Sequence, residues 1–142
     1  MLKYTTTTKV VAPSVEQKWH LLDAQEFVVG RLATRAAELL IGKNKVSYAP
    51  LRDMGDAVVI INAPAISISG KKNVNKQYKN YSGYPGGLNL TSYEKMSKEK
   101  PEEIIRKAIM GMLPKNKLRD KRIQNLYIFK GSEHPFSHKF TA

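Results

Sequence analysis

The sequence predicts an α/β domain built on a parallel sheet with helices over its faces. Apolar segments of strand and helix character alternate along the chain, and the run Ala57–Ile61 is β-branched and apolar throughout, as a strand buried on both faces requires. Two further segments carry apolar residues at helical spacing. Alternation of this kind favours parallel strands joined by crossover helices.

Trp19–Asp23 reads as a short first strand. In Val29–Ile41 the residues Leu32, Ala33, Ala36, Leu39 and Leu40 recur at helical spacing, and Gly42 ends the helix. Asp53, Gly55 and Asp56 form a turn into Ala57–Ile61. Gln77–Tyr81 fits another strand, closed by the glycine-rich loop Ser82–Gly87. Pro101 begins a helix, since proline has no amide to leave unbonded at the first position, and Glu102 and Glu103 suit the positive end of its dipole. Its buried stripe is Ile104, Ile105, Ala108, Ile109, Met112 and Leu113, and Pro114 stops it. A short helix over Lys115–Gln124 and a strand over Leu126–Phe129, closed by Gly131, complete the order. The 142 residues fit one domain, with 1–17 as a leading arm and 132–142 as a C-terminal tail. No internal repeat is visible.

The chain carries 24 Lys and Arg against 12 Asp and Glu, a net charge of +12. Residues 1–62 hold eight basic and six acidic groups, whereas residues 63–142 hold sixteen and six. Solubility is satisfied by a net charge of roughly 2 to 8. The excess in the second half therefore points to a polyanion, and nucleic acid is favoured over a membrane surface. There is no cysteine, which removes disulfides, thiolate metal sites and a cysteine nucleophile. The stretch Met1–Lys9 lacks the continuous apolar middle of a secretory signal. The most apolar window, Ala57–Ile68, is broken by Asn62 and Pro64 and falls short of the ~20 residues of a membrane span.

Three stretches are candidate binding elements. After Pro114 come Lys115, Lys117, Arg119, Lys121 and Arg122, with Asp120 as the sole internal counterion. On a helix, Lys115, Arg119 and Arg122 form one row and Lys117 and Lys121 a neighbouring one. Like charges so spaced repel by a few tenths of a kcal/mol per pair unless phosphates screen them. A solvated helix face is the bland alternative. The second stretch interleaves Lys71, Lys72, Lys76 and Lys79 with Tyr78, Tyr81 and Tyr84, and runs into Gly83, Pro85, Gly86 and Gly87. Lysines suit phosphates, tyrosines can stack on unpaired bases, and glycines permit close approach of backbone. The same tyrosines could equally pack against a sheet, with the glycines serving a turn.

The third stretch, Gly30-Arg31-Leu32-Ala33-Thr34, opens a helix after the first strand, where nucleotide-binding folds keep a phosphate loop. It has one glycine where a dinucleotide fingerprint needs three, and Gly42-Lys43-Asn44 fails the other phosphate-loop pattern. Gly30 is read as permitting a tight strand-to-helix entry, with Arg31 and Arg35 available to phosphate. Lys43 and Lys45, beyond the helix end, join the RNA-binding set, as do Gly86 and Gly87. His134 and His138 are four apart, but Pro135 intervenes and no donor beyond Glu133 completes a metal set. His20 is read as a satisfied core or edge residue and Trp19 as a core anchor. No metal, cofactor, small-molecule substrate or catalytic residue is expected.

Ile109–Pro114 with Lys115, Leu126-Tyr127-Ile128-Phe129 and Gly131-Ser132-Glu133-His134-Pro135 together resemble the signature region of the large-subunit ribosomal protein thirteen family. Trp19–Ala24, Gly30–Thr34, Gly55-Asp56, Asn62-Ala63, Ser69-Gly70-Lys71 and Tyr84–Gly87 resemble its bacterial form, in order, over nearly the whole chain. The resemblance implies a three-layer α/β/α domain around a mostly parallel sheet of about four strands. It implies a structural, non-catalytic place in the cytoplasmic ribosome and a role early in subunit assembly. Large-subunit ribosomal RNA and neighbouring large-subunit ribosomal proteins are the implied partners, with no membrane and no homo-oligomer. The sequence departs from the family pattern at Met110, where a basic residue is usual, at Arg119-Asp120, where glycine and arginine are usual, and at Asn80 and Tyr81, where histidine is common. A nucleotide-binding α/β enzyme and a free nucleic-acid-binding regulatory module are the alternatives.

Overall fold

The computed structural model describes residues 16–140. Of the leading arm, all but Glu16 and Gln17 lie outside the described residues. The elements are β1 (Trp19–Asp23), α1 (Val29–Ile41), β2 (Ala57–Ile61), α2 (Lys72–Asn75), β3 (Gln77–Tyr81), β4 (Leu88–Ser92), α3 (Tyr93–Glu99), α4 (Pro101–Met112), α5 (Arg119–Gln124) and β5 (Leu126–Ile128). Short 3-10 turns occupy Ala63–Ala65 and Ser137–Lys139.

The main sheet is parallel, in the order β1-β2-β5. Among the described residues it has three strands rather than about four, because β3 pairs antiparallel with β4 in a separate hairpin. Trp19 stands opposite Ala57, and Leu21, Val59 and Tyr127 share one row across the sheet. Side chains alternate along a strand, so His20, Leu22, Val58, Ile60, Leu126 and Ile128 share the opposite face. Against that second face α1 and α4 pack on each other and complete the main core. Leu32, Leu40, Ile60, Ile104 and Ile109 have no exposed surface there. Truncating any one of these leucines or isoleucines to alanine removes apolar burial and leaves a cavity, a cost of about 2–5 kcal/mol.

The first face is covered differently. The C-terminal segment folds back, so that Phe136 and Phe140 lie 5.0 and 6.4 Å from the Trp19 ring, and Trp19 stacks on Tyr127 at 5.6 Å. Ala57, between the strands that carry these two rings, is small enough to let them meet. Trp19 therefore anchors an aromatic cluster beside the main core and remains half-buried. Residues 132–140 are a packed cover for the sheet.

Two glycines fix the α1–β2 connection. Gly42 caps α1 with φ +79°, a left-handed conformation that disfavours side chains, and its amide donates to the Glu38 and Leu39 carbonyls. A Cβ on Gly55 would collide with the Leu40 carbonyl, so only glycine lets the chain pass the end of α1 here. Gly30 is different, because a Cβ there meets nothing within 4 Å. The tight entry expected at Gly30 is absent. The turn into α1 is made instead by Val28 and Val29, and the Val29 amide donates to the Ser67 carbonyl at 3.0 Å.

At the other end of the sheet Asn62 adopts φ +56°, a region asparagine tolerates. Its Nδ2 donates to both Asp23 oxygens at 3.0 and 3.1 Å, tying the ends of β1 and β2. Three expected features are corrected. The helix over Lys115–Gln124 begins only at Arg119, after a turn in which the Asn116 side chain accepts from the Leu118 amide. The strand expected over Leu126–Phe129 stops at Ile128, although the Phe129 amide still donates to Ile60. Met112 is exposed rather than buried: it lies at the rim of the contact with α1, 3.4 Å from Thr34 Oγ1, while Ile109 and Leu113 take the buried positions.

Candidate nucleic-acid interface

The basic stretch after α4 divides on folding. Lys115, Lys117 and Lys121 are exposed and Arg119 is partly so. Because residues 115–118 are a turn, the two helical rows of charge do not form. Arg122 is not part of the surface: it is 1% exposed, with Nη2 donating to the Arg52 carbonyl at 3.4 Å and Nε 3.6 Å from Asp53. It cannot reach a phosphate without unfolding α5. Its role is to tie α5 to the loop before β2, in which Arg52 is itself exposed.

The exposed edge of α1 joins this region. Thr34 donates from Oγ1 to the Gly30 carbonyl at 3.1 Å and lies 3.4 Å from Met112 Sδ. That contact sets Arg31 and Arg35, both exposed, beside the end of α4, from which Pro114 and Lys115 lead away. The cations are thus carried by packed elements. A guanidinium or ammonium held on a rigid element loses less freedom on meeting a phosphate than one on a loose tail.

Lys43 is exposed, but Lys45 turns inward and forms an ion pair with Asp56, a carboxylate with no exposed surface. Lys45 also donates to the Glu16 carbonyl at 3.0 Å. Asp56 further accepts from the Lys18 amide at 3.0 Å and lies 2.9 Å from His20 Nε2. Burial works to raise its pKa, but the bonds from Lys45, Lys18 and His20 outweigh it and hold the carboxyl below its usual value. Lys45 therefore belongs to a structural ion pair and not to the exposed cations, and His20 is a satisfied edge residue. The sequence marks Asp56 as a residue of the turn before β2 and not as a buried ion-pair partner. Its one clue is an acid immediately before a wholly apolar strand.

The second basic region centres on the hairpin. Lys71 and Lys72 are exposed around α2, and with Asn75 and Lys76 they line a shallow pocket. Tyr78 faces inward: it packs against the core, and Lys76 and Lys107 hold their ammonium groups 5.2 and 5.4 Å from its ring centre. Burial pushes its phenol pKa up. Tyr78 is therefore removed from the set able to stack on bases, whereas Tyr81 and Tyr84 are exposed. Gly83 and Gly86 take positive φ at +88° and +75° in the loop between the strands, and the Gly87 amide closes it onto the Tyr84 carbonyl.

His134 lies in the aromatic cover, edge-on to Phe140 at 5.4 Å. Among the described residues no three metal-ligating side chains cluster. No described helix is long and apolar enough to cross a membrane. An α/β core whose exposed elements carry clustered lysines and arginines defines a basic structural scaffold.

The match to known proteins makes the class particular. Residues 17–135 match the family model described as Ribosomal protein L13. The chain is 48% identical over 122 residues to "Large ribosomal subunit protein uL13" of Pelobacter propionicus, covering 86% of each protein. It is 48% identical to the protein of that name from Spiroplasma citri, covering 91% of this chain and 88% of that protein. Against the Prochlorococcus marinus protein the identity is 44%, with the same shares covered. The chain belongs to the ribosomal protein L13 family. This is a family of structural, non-enzymatic ribosome components, working in the cytoplasm in bacteria such as these.

Proposed function

We propose that this chain is a structural constituent of the large ribosomal subunit that binds large-subunit ribosomal RNA and takes part early in subunit assembly. The observation that carries the RNA reading is the placing of Lys115, Lys117, Arg119 and Lys121 on a turn and helix locked to the core by buried Arg122. Arg31 and Arg35 extend that surface along α1. Lys43, Lys71, Lys72, Lys76 and Lys79 supply further phosphate contacts, and Tyr81, Tyr84, Gly86 and Gly87 form the tip of the hairpin. The chain works as one domain without homo-oligomerising, and neighbouring ribosomal proteins complete its surroundings.

Charge neutralisation releases counterions, so affinity for a large-subunit RNA fragment falls linearly with salt on a log–log plot. The slope is about −0.7 to −0.9 per neutralised phosphate. A flat response between low and moderate salt would sink the reading. Co-sedimentation with large subunits in high salt separates a ribosome constituent from a free regulatory module, which washes off.

A further inference from the structure

From Ala57 to Tyr93 the chain contains four lysines and no acidic residue. The β3–β4 hairpin lies inside that interval, and its two faces differ. Tyr78 and Thr91 stand opposite one another on the inner face, where Tyr78 meets the core. By alternation the outer face carries Lys79 opposite Leu90 and Tyr81 opposite Leu88. Tyr81 is 63% exposed, Leu88 53% and Leu90 54%, and Tyr84 at the tip is 75% exposed. Four large apolar or aromatic side chains thus lie uncovered on one small hairpin.

We propose that this outer face is a platform for unpaired nucleotides of the RNA, with bases stacking on Tyr81 and Tyr84 while Lys79, on the same face, holds an adjoining phosphate. The proposal deepens the RNA-binding reading and rests on it. A flat ring beside an ammonium matches a base beside its own phosphate. An outer hairpin face that carries no acidic side chain of its own complements a polyanion more than a mixed-charge protein face, Glu99 and Glu103 lying on the inner side with Tyr78 and Asn80. A duplex hides its base faces within the stack, so rings projecting outward favour single-stranded or bulged RNA. Gly83 and Gly86 leave open space around the tip, so a nucleotide can approach Tyr84 without meeting a side chain there.

The test uses the full chain and a single-stranded RNA of roughly a dozen nucleotides containing 2-aminopurine, alone and annealed to its complement. Stacking on an aromatic side chain is worth about fivefold or more in affinity per base. Tyr81→Ala with Tyr84→Ala should weaken single-strand binding by roughly twentyfold or more and duplex binding by less than about twofold. Tyr81→Phe with Tyr84→Phe should restore the single-strand affinity and the 2-aminopurine signal, while circular dichroism shows every variant folded. Equal losses on both RNAs, or no loss on either, would overturn the platform. So would Leu88→Ser with Leu90→Ser blocking incorporation into subunits while the tyrosine variants incorporate normally, since the face would then dock a protein. Failure of the unmodified chain to bind either RNA would instead overturn the RNA-binding reading itself.

Discussion

Replacing Asp56 by Asn should destabilise the fold far more than one atom's change suggests. Asp56 has no exposed surface and joins three segments, through the Lys18 amide at 3.0 Å, His20 at 2.9 Å and the Lys45 ammonium. Asparagine keeps the shape but removes the charge, leaving Lys45, 15% exposed, without its counterion. Removing one member of a buried pair costs about 3–5 kcal/mol, and residual hydration of Lys45 favours the lower end. For a chain of this size that is a Tm loss of roughly 10 °C. The folded pKa of Asp56 is below the usual value, so the fold binds the proton less readily than the unfolded chain does. Its stabilisation is complete above the ordinary carboxylate pKa of about 4 and is lost as pH falls through the folded value. Thermal melts followed by circular dichroism should therefore show a wide gap between the two proteins at neutral pH and a narrowing gap on acidification. Adding Lys45→Met to Asp56→Asn should recover part of the loss, because the orphaned ammonium is gone. A neutral-pH Tm change under about 3 °C, or a gap unchanged at low pH, would refute the reasoning.

Reversing Lys115, Lys117, Arg119 and Lys121 to Glu should abolish tight binding to a large-subunit RNA fragment while leaving the melting curve nearly unchanged, and a normal subunit sedimentation profile in such a strain would count against this surface. Arg122→Ala should do the opposite, lowering stability by about 2–4 kcal/mol through a cavity and a lost anchor while leaving the salt slope of the remaining folded protein intact; urea denaturation and salt titration separate the two. Gly30→Ala should raise stability by about 0.5–1 kcal/mol, since the position is helical, exposed and open. Gly55→Ala should lower it by at least about 1–3 kcal/mol by forcing α1 away from β2, and equal Tm shifts for the two glycine variants would contradict the contacts described.

The bounds of β1, α1, β2 and β3 and the proline start of α4 were legible because each follows a local rule: apolar period, a capping glycine or a proline without an amide. What stayed hidden depends on partners distant in sequence. In β4, Leu88 and Leu90 alternate with polar residues as in a half-buried strand, yet both face outward, and the strand exists through its ladder to β3. The same hairpin explains the strand count, since nothing within Gln77–Tyr81 says which sheet it joins. In α5 the basic residues look alike as sequence; Arg122 alone is buried because Asp53 and the Arg52 carbonyl, some seventy positions earlier, come to meet it. Lys45 was drawn inward by Asp56 in the same way. Of the three tyrosines beside the hairpin lysines, strand alternation separates Tyr78 from Tyr81, but only the packing of α4 decides which of them is covered.

The chain has a single tryptophan, and it sits where the C-terminal segment closes over β1. Trp19 is stacked on Tyr127, flanked by Phe136 and capped by the Lys139 ammonium at 4.3 Å. Nature has thereby given the protein its own optical reporter. The indole emission follows the closing of that aromatic cover, while far-UV ellipticity follows α1 and α4 on the opposite face. The order in which the two faces of the sheet become covered during folding can be timed in one sample without attaching a dye.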